Sequence, residues 1–271
     1  MAEAFFQQLS PLTGGVSLSA RFLGTDATSG PWSDQFMHAG PPSALVGHLV
    51  AAAIADPDMG LPSNGLLTRF SADILRPIPV GEVSAEVRTL RSGARIGLVE
   101  VQLRNEEHTL LSARCWVSRR AEVAIPRTPL GEAPTAGEVV VPDRWGGGYL
   151  RSVEWSWVEG IFHEPGPATV WTRALLPLLP DTPWRPVERV LLIADSGNGI
   201  SAVADPRRVT FVNTDLTVHL VREPVGESIW MAASTALDPQ GVGLASSTLG
   251  DRDGGIGTGA QSLFVAPTAG A

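Results

Sequence analysis

Four residues occur twice in this chain: Pro79-Val80-Gly81-Glu82 returns as Pro224-Val225-Gly226-Glu227, an offset of 145 residues. At the same offset, Pro41-Pro42 before one apolar helical run matches Pro186-Val187 before another. Each half reads as a helix, a long strand closing near an arginine (Arg76, Arg222), the shared turn, and a strand meander. One repeat of this length in 271 residues constrains the chain to two copies of an α+β unit packed as a pseudo-dimer. The expected division is residues 1–120 for the first repeat, 121–148 for a linker rich in Pro and Gly, and 149–271 for the second repeat.

Hydrophobic residues make up 44% and charged residues 18%, enough to build a core and too little charge for a disordered chain. The net charge of −8 argues against nucleic acid as the main partner, because phosphate binding needs a basic face. The single cysteine, Cys115, excludes an internal disulfide framework and reads as a small buried hydrophobe in a strand. The N-terminus shows no basic and apolar signal segment, and no apolar run reaches the roughly 20 residues that span a bilayer. The expectation is a cytoplasmic protein with no membrane insertion.

Residues 16–24 alternate as an opening strand, and the run after Pro42 is apolar on nearly every face, as a buried helix is. Strands are expected over 66–76, 81–90, 97–104 and 109–119. In the second half, strands are expected over 151–159 and 168–176, a helix from Val187 to about Ala204, and strands over 210–222, 228–237, 242–249 and 261–265. The helix weakens at Ser196-Gly197-Asn198-Gly199. A long antiparallel sheet wrapped around a buried helix, repeated once, has the layout of the hotdog fold. Pairing two such units covers a sheet edge that one alone would expose.

Several chemistries are missing from the sequence. There is no Gly-x-Ser-x-Gly elbow, no Walker loop, and Gly255-Ile256-Gly257-Thr258-Gly259 lacks the third glycine of a dinucleotide fingerprint. No metal-ligand pair appears at a helical or loop spacing, and Asp251–Gly255 lacks the downstream acid of a calcium loop, so no metal and no cofactor are expected. His48 reads as a satisfied core histidine and His219 as a packing or surface residue; His163 and His108 stand alone. His38, just before Gly40 at a helix start, fits function and structure equally. Asp195 follows a wholly apolar helical run: it either caps the helix and faces water, or it is a buried acid in need of a partner. Strand parity places Asn213 and Asp215 on one face and Thr214 on the other, and sets Gln261 on an apolar face with Leu263 and Val265.

The ordered set His38-Ala39-Gly40, Leu75 to Gly81, Ile193-Ala194-Asp195-Ser196, Asn213 to Leu220 with Arg222, and Leu244 to Gln261 resembles the acyl-CoA thioesterase II family, the TesB-like double-hotdog thioesterases. The resemblance spans nearly the whole chain, and the order of its motifs is the specific part. It implies a tandem (double) hotdog, an α+β fold, and hydrolysis of acyl-CoA by a water held by an Asp, a Thr and a Gln of the second repeat. Those positions are Asp195, Asn213 and Gln261, with Asn standing in place of the Thr and Thr214 adjacent. The matching first-repeat positions include Val50 and Trp116, so that repeat is expected to be chemically inert. His38 and the backbone near Gly40 are the expected oxyanion and substrate-binding groups. The implied partner is the acyl-CoA substrate, with a homo-oligomer (a dimer of double hotdogs) as the expected assembly. Two alternatives stand beside this: a non-catalytic acyl-CoA-binding protein, and a hotdog enoyl-CoA hydratase or dehydratase. The latter needs a paired Asp and His, which the sequence offers only as Asp34 and His38 in the first half.

Overall fold

The computed structural model describes residues 2–135, 137–140, 148–162 and 164–268; His163 and part of the expected linker, 136 and 141–147, lie outside the described residues. The first half contributes β1 (Phe6–Gln8), β2 (Thr13–Gly14), β3 (Ser17–Gly24), the helix α1 (Gly40–Ala55), β4 (Gly65–Ile74), β5 (Glu82–Arg91), β6 (Ile96–Arg104) and β7 (Thr109–Arg119). The second half contributes β8 (Glu138–Val139), α2 (Gly148–Arg151), β9 (Val153–Glu159), β10 (Ala168–Ala174), α3 (Pro186–Ala194), α4 (Gly197–Ile200), β11 (Val209–Asn213), β12 (Asp215–Leu220), β13 (Ile229–Asp238), β14 (Val242–Asp251) and β15 (Gly254–Pro267).

Among the described residues these strands form one antiparallel sheet in the order β1-β3-β5-β6-β7-β4-β12-β15-β14-β13-β10-β9-β8, with β2 on β3 and β11 on β15. The halves join where β4 pairs with β12. Ser71 faces Thr217 and Ala72 faces Leu216, and shifting by the repeat offset turns the first pair into the second. A pseudo-twofold axis therefore passes between these two pairs. The sheet curls around α1 and α3, which pack on each other. α1 is buried from Gly40 through Gly47 because its sequence offers apolar or small side chains on every face. Its first turn accepts Pro41 and Pro42, whose missing N–H groups would have had no helical acceptor. Asp56, in an extended conformation before Pro57, ends it.

The repeated turn has a backbone reason. Gly81 and Gly226 adopt φ of 135° and 86°, which side chains bearing a Cβ avoid. In the second half, buried Asp251 takes two bonds from the Arg222 guanidinium and one from the Val225 N–H, fixing that turn.

Four expectations change. The second helix ends at Ala194 and restarts as the single turn α4, because Ser196-Gly197-Asn198-Gly199 cannot carry a helix through. The strand expected over 210–222 breaks at Thr214 into β11 and β12. The strand expected over 261–265 runs from Gly254 to Pro267: Gly254, at φ 102°, closes the turn after Asp251, while a Cβ on Gly257 would collide with the carbonyl oxygen of His219, a place of close approach. The strand expected from Arg151 starts at Val153, after α2.

Candidate functional site

Asp195 sits at the C-cap of α3 and keeps helical dihedrals, φ −72° and ψ −11°. It is 3% exposed, so the reading of a water-facing cap is overturned. The cover comes from the start of α1, which lies directly on the end of α3. Gly40 makes the approach possible, since a Cβ there would collide with the carbonyl oxygen of Leu192. The carboxyl group is ringed by donors. Oδ1 accepts from Asn213 Nδ2 at 2.8 Å and from Gln261 Nε2 at 3.2 Å, and Oδ2 lies 3.2 Å from His38 Nδ1. The backbone N–H groups of Ala39 and Gly40 also reach it. Burial pushes the Asp195 carboxyl up to about 7 despite these donors.

His38 comes from the first repeat, and its side chain meets Asp195 of the second. Its pairing with Asp195 is tertiary, and Asp34 has no part in it. Burial drives the imidazole down to about 3, so it is neutral at ordinary pH. Gly40 N–H donates to Nδ1 at 3.0 Å, which leaves the ring proton on Nε2. Pro41 and Pro42 carry no N–H, so Ala39 and Gly40 supply the donors of this helix start. The His38–Asp195 contact joins a neutral imidazole to a carboxyl group whose burial favours the protonated form. It is a hydrogen bond rather than an ion pair. The Gly40 N–H thus serves both His38 Nδ1 and the Asp195 carboxyl group.

Asn213 ends β11. Between Asn213, paired with Leu263, and Thr217, paired with Ala260, one strand advances four residues and the other three. The extra residue is a bulge at Thr214-Asp215, and such bulges re-aim side chains beside functional sites. It turns the Asn213 amide onto Asp195, while Asp215 instead accepts the Ser262 N–H and Thr214 is exposed. Strand parity therefore fails here, and Thr214 does not reach the cluster. Gln261, on β15, donates to the Asp195 carbonyl oxygen at 2.9 Å as well as to its carboxyl, and accepts the Asn198 N–H at 3.0 Å. Both amides hold the carboxyl group itself. Sequence reasoning missed Tyr149, which stacks on His38, and Asn198; only their place beside Asp195 in space marks them.

His38, Asp195, Asn198 and Asn213 line a cavity of about 850 Å³, together with Trp32, Ile78, Leu150, Phe162, Phe211 and Arg207. The pseudo-equivalent place in the other half holds a smaller cavity of about 360 Å³. There Val50 stands for Asp195, and Arg185 for Gly40. The Arg185 guanidinium donates to the His48 carbonyl oxygen at 3.0 Å and lies 3.6 Å from buried Glu188, which in turn meets His48 Nδ1 at 3.0 Å. Cys115 is buried, and its thiol is pushed up to about 12, as a packing residue's would be. Among the described residues no group of three or more His, Cys, Asp or Glu is placed to hold a metal ion, and no helix is long and apolar enough to cross a membrane.

The model of the acyl-CoA thioesterase N-terminal domain matches residues 28–118, and that of the C-terminal domain matches residues 131–265. No curated protein matches the chain. Solved structures share its fold at low identity. A candidate thioesterase II from Thermobifida fusca YX is 17% identical with a TM-score of 0.70, over 94% of each chain. A tesB protein of Mycobacterium avium subs paratuberculosis is 20% identical with a TM-score of 0.64, over 91% of this chain and 93% of that one. A hot dog fold protein of unknown function from Alicyclobacillus acidocaldarius is 13% identical with a TM-score of 0.69, over 94% and 96%. The two domain matches, in order and over most of its length, with the tandem hotdog architecture, make this chain a member of the acyl-CoA thioesterase family, a thioester hydrolase.

Proposed function

We propose that the chain hydrolyses acyl-CoA thioesters by direct attack of a water that Asp195 activates, with Asn213 and Gln261 holding that carboxylate in place and His38 polarising the acyl carbonyl. The observation that carries this is a buried carboxyl group from one repeat meeting a neutral, Nε2-protonated imidazole from the other, in the lining of an apolar cavity. Once Asp195 loses its proton, its carboxylate accepts one from water, while Oδ1 stays tied to the two amides. The Nε2–H of His38 donates to the developing oxyanion as a neutral group kept so by burial. The water oxygen bonds to the acyl carbon, its proton goes to Asp195, and collapse of the tetrahedral intermediate breaks the C–S bond. Coenzyme A leaves as a thiolate of pKa about 8.5 and takes the proton back, so no stronger acid is needed. The acyl group lies against Trp32, Leu150, Phe162 and Phe211.

The test is thiol release across short-, medium- and long-chain acyl-CoAs. Asp195→Asn should lower kcat about 10²- to 10⁴-fold, the usual worth of a general base, with little loss of melting temperature. An unchanged rate in this variant would sink the assignment. The His38–Asp195 contact also favours a second reading, addition of water across an α,β-unsaturated acyl-CoA, which needs such a pair. Crotonyl-CoA separates the two: hydrolysis frees thiol, whereas hydration removes the enoyl absorbance and leaves the thioester intact. We further take residues 1–120 and 149–271 as the repeats, 121–148 as their connection, and a dimer of the whole chain as the working assembly; light scattering checks the last.

A further inference from the structure

Tyr149 is the one tyrosine of the chain, and it is fully buried. It lies in α2, where the chain enters the second half. Its backbone is tied to the first repeat: Tyr149 N–H donates to the Ser29 carbonyl oxygen at 3.0 Å, and the preceding Gly148 N–H donates to Ser29 Oγ at 2.8 Å. The residue before Ser29 receives the His38 N–H, Thr28 O at 2.8 Å, so Tyr149 and His38 hang from one stretch of chain. Its hydroxyl is tied to the second repeat instead, donating to the Leu192 carbonyl oxygen at 2.9 Å and accepting from Ser196 Oγ at 2.8 Å. Those two residues flank the end of α3 that carries Asp195.

The ring lies flat on the His38 imidazole, centroids 3.9 Å apart and planes 12° apart. Trp155 backs it edge-on at 6.1 Å, and the Trp155 indole is itself anchored on the Leu150 carbonyl oxygen at 3.0 Å. A core plug needs neither a parallel stack nor a hydroxyl. This side chain uses both, one on each member of the pair.

We propose that Tyr149 is a positioning residue for the reaction: one side chain sets the plane of His38 and the end of α3 together, so that His38 Nε2 and the Asp195 carboxyl group keep a fixed relation across the two repeats. The proposal rests on the hydrolysis reading. Without the stack, the imidazole is held through the Gly40 N–H and the Asp195 contact alone, and a misplacement of about 1 Å costs on the order of 10²-fold in rate.

Two variants separate the roles. Tyr149→Phe keeps the ring and removes the hydroxyl; Tyr149→Leu removes the stack. On the acyl-CoA that the wild type turns over fastest, kcat should fall about tenfold in the first and about 10²-fold in the second, with KM within about twofold. The ¹⁵N signals of the His38 ring, assigned by their loss in His38→Gln, should show a single Nε2–H tautomer in the wild type and an averaged one in Tyr149→Leu. If Tyr149→Leu does not fold, Tyr149→Phe carries the kinetic test alone. Lower melting temperatures with unchanged kcat per folded molecule and an unmoved His38 signal would make Tyr149 a packing residue and overturn the proposal. Should the wild type release no thiol from any acyl-CoA, the hydrolysis reading fails, and the His38 signal still decides whether Tyr149 holds the ring.

Discussion

Burial moves the titration of Asp195 up to about 7 and that of His38 down to about 3, so the two exchange their usual ranges. Activity that needs the Asp195 carboxylate should rise with pH around a midpoint near 7, and His38, already neutral, should add no limb from about pH 4 upward. A kcat profile flat through neutrality would contradict this. The stability effects have opposite signs. Folded Asp195 keeps a proton that the unfolded chain has released, so its contribution is complete below about pH 4 and fades as pH rises to about 7. Folded His38 refuses a proton that the unfolded chain accepts, so its contribution is complete above about 6.5 and fades as pH falls toward 3. Between about pH 4 and 6.5 the slopes offset. Urea titrations of Asp195→Asn should expose the His38 slope alone, with stability lost as pH falls through that window. None of this was legible in the residues taken singly. Asp195 stood out as an acid after an apolar run, but its burial depends on a helix start from the other half of the chain.

The decisive elements at the next scale are a helix contact and a bulge. Gly40→Ala should force α1 away from the Leu192 carbonyl oxygen, cost about 1–3 kcal/mol by denaturant titration, and lower kcat as well, because the same contact places Ala39 and Gly40 on Asp195. At the bulge, Asn213→Leu should leave a carboxyl oxygen with one amide donor fewer and cut kcat steeply, whereas Asn213→Thr keeps a donor and should retain most of it. Equal losses in both variants would count against a hydrogen-bonding role. Helix α1 was legible as a long apolar run entered by two prolines, and the strands of the first meander were legible by their alternation. The bulge was not, since residues 210–222 read as one uninterrupted strand; its interruption follows from the register imposed by β15. The strand from Gly254 was hidden for the opposite reason, because glycine suggests turns unless the neighbour pressing on it is known.

For the molecule as a whole, the PVGE echo announced the duplication, and the pairing of β4 with β12 turns it into one continuous sheet around two touching helices. Thermal unfolding should therefore show a single transition by calorimetry and by tryptophan fluorescence, not two for separable repeats. What the echo could not reveal is how the halves meet: the motifs named His38 of the first repeat beside Asp195, Asn213 and Gln261 of the second, and only the packed helices bring His38 onto Asp195. The Arg185 side chain carries this further. In the ancestor of a perfect repeat, both helix starts would have met both helix ends in the same way. Here one of the two has an arginine where the other has bare backbone, and that arginine now props up His48 and Glu188. Restoring twofold symmetry would mean removing a cation from a buried acid while installing a second acid at Val50, and each step taken alone leaves an unpaired charge. The duplication behaves as a ratchet: once one half has been reinforced at the expense of chemistry, single substitutions lead away from two sites and not back.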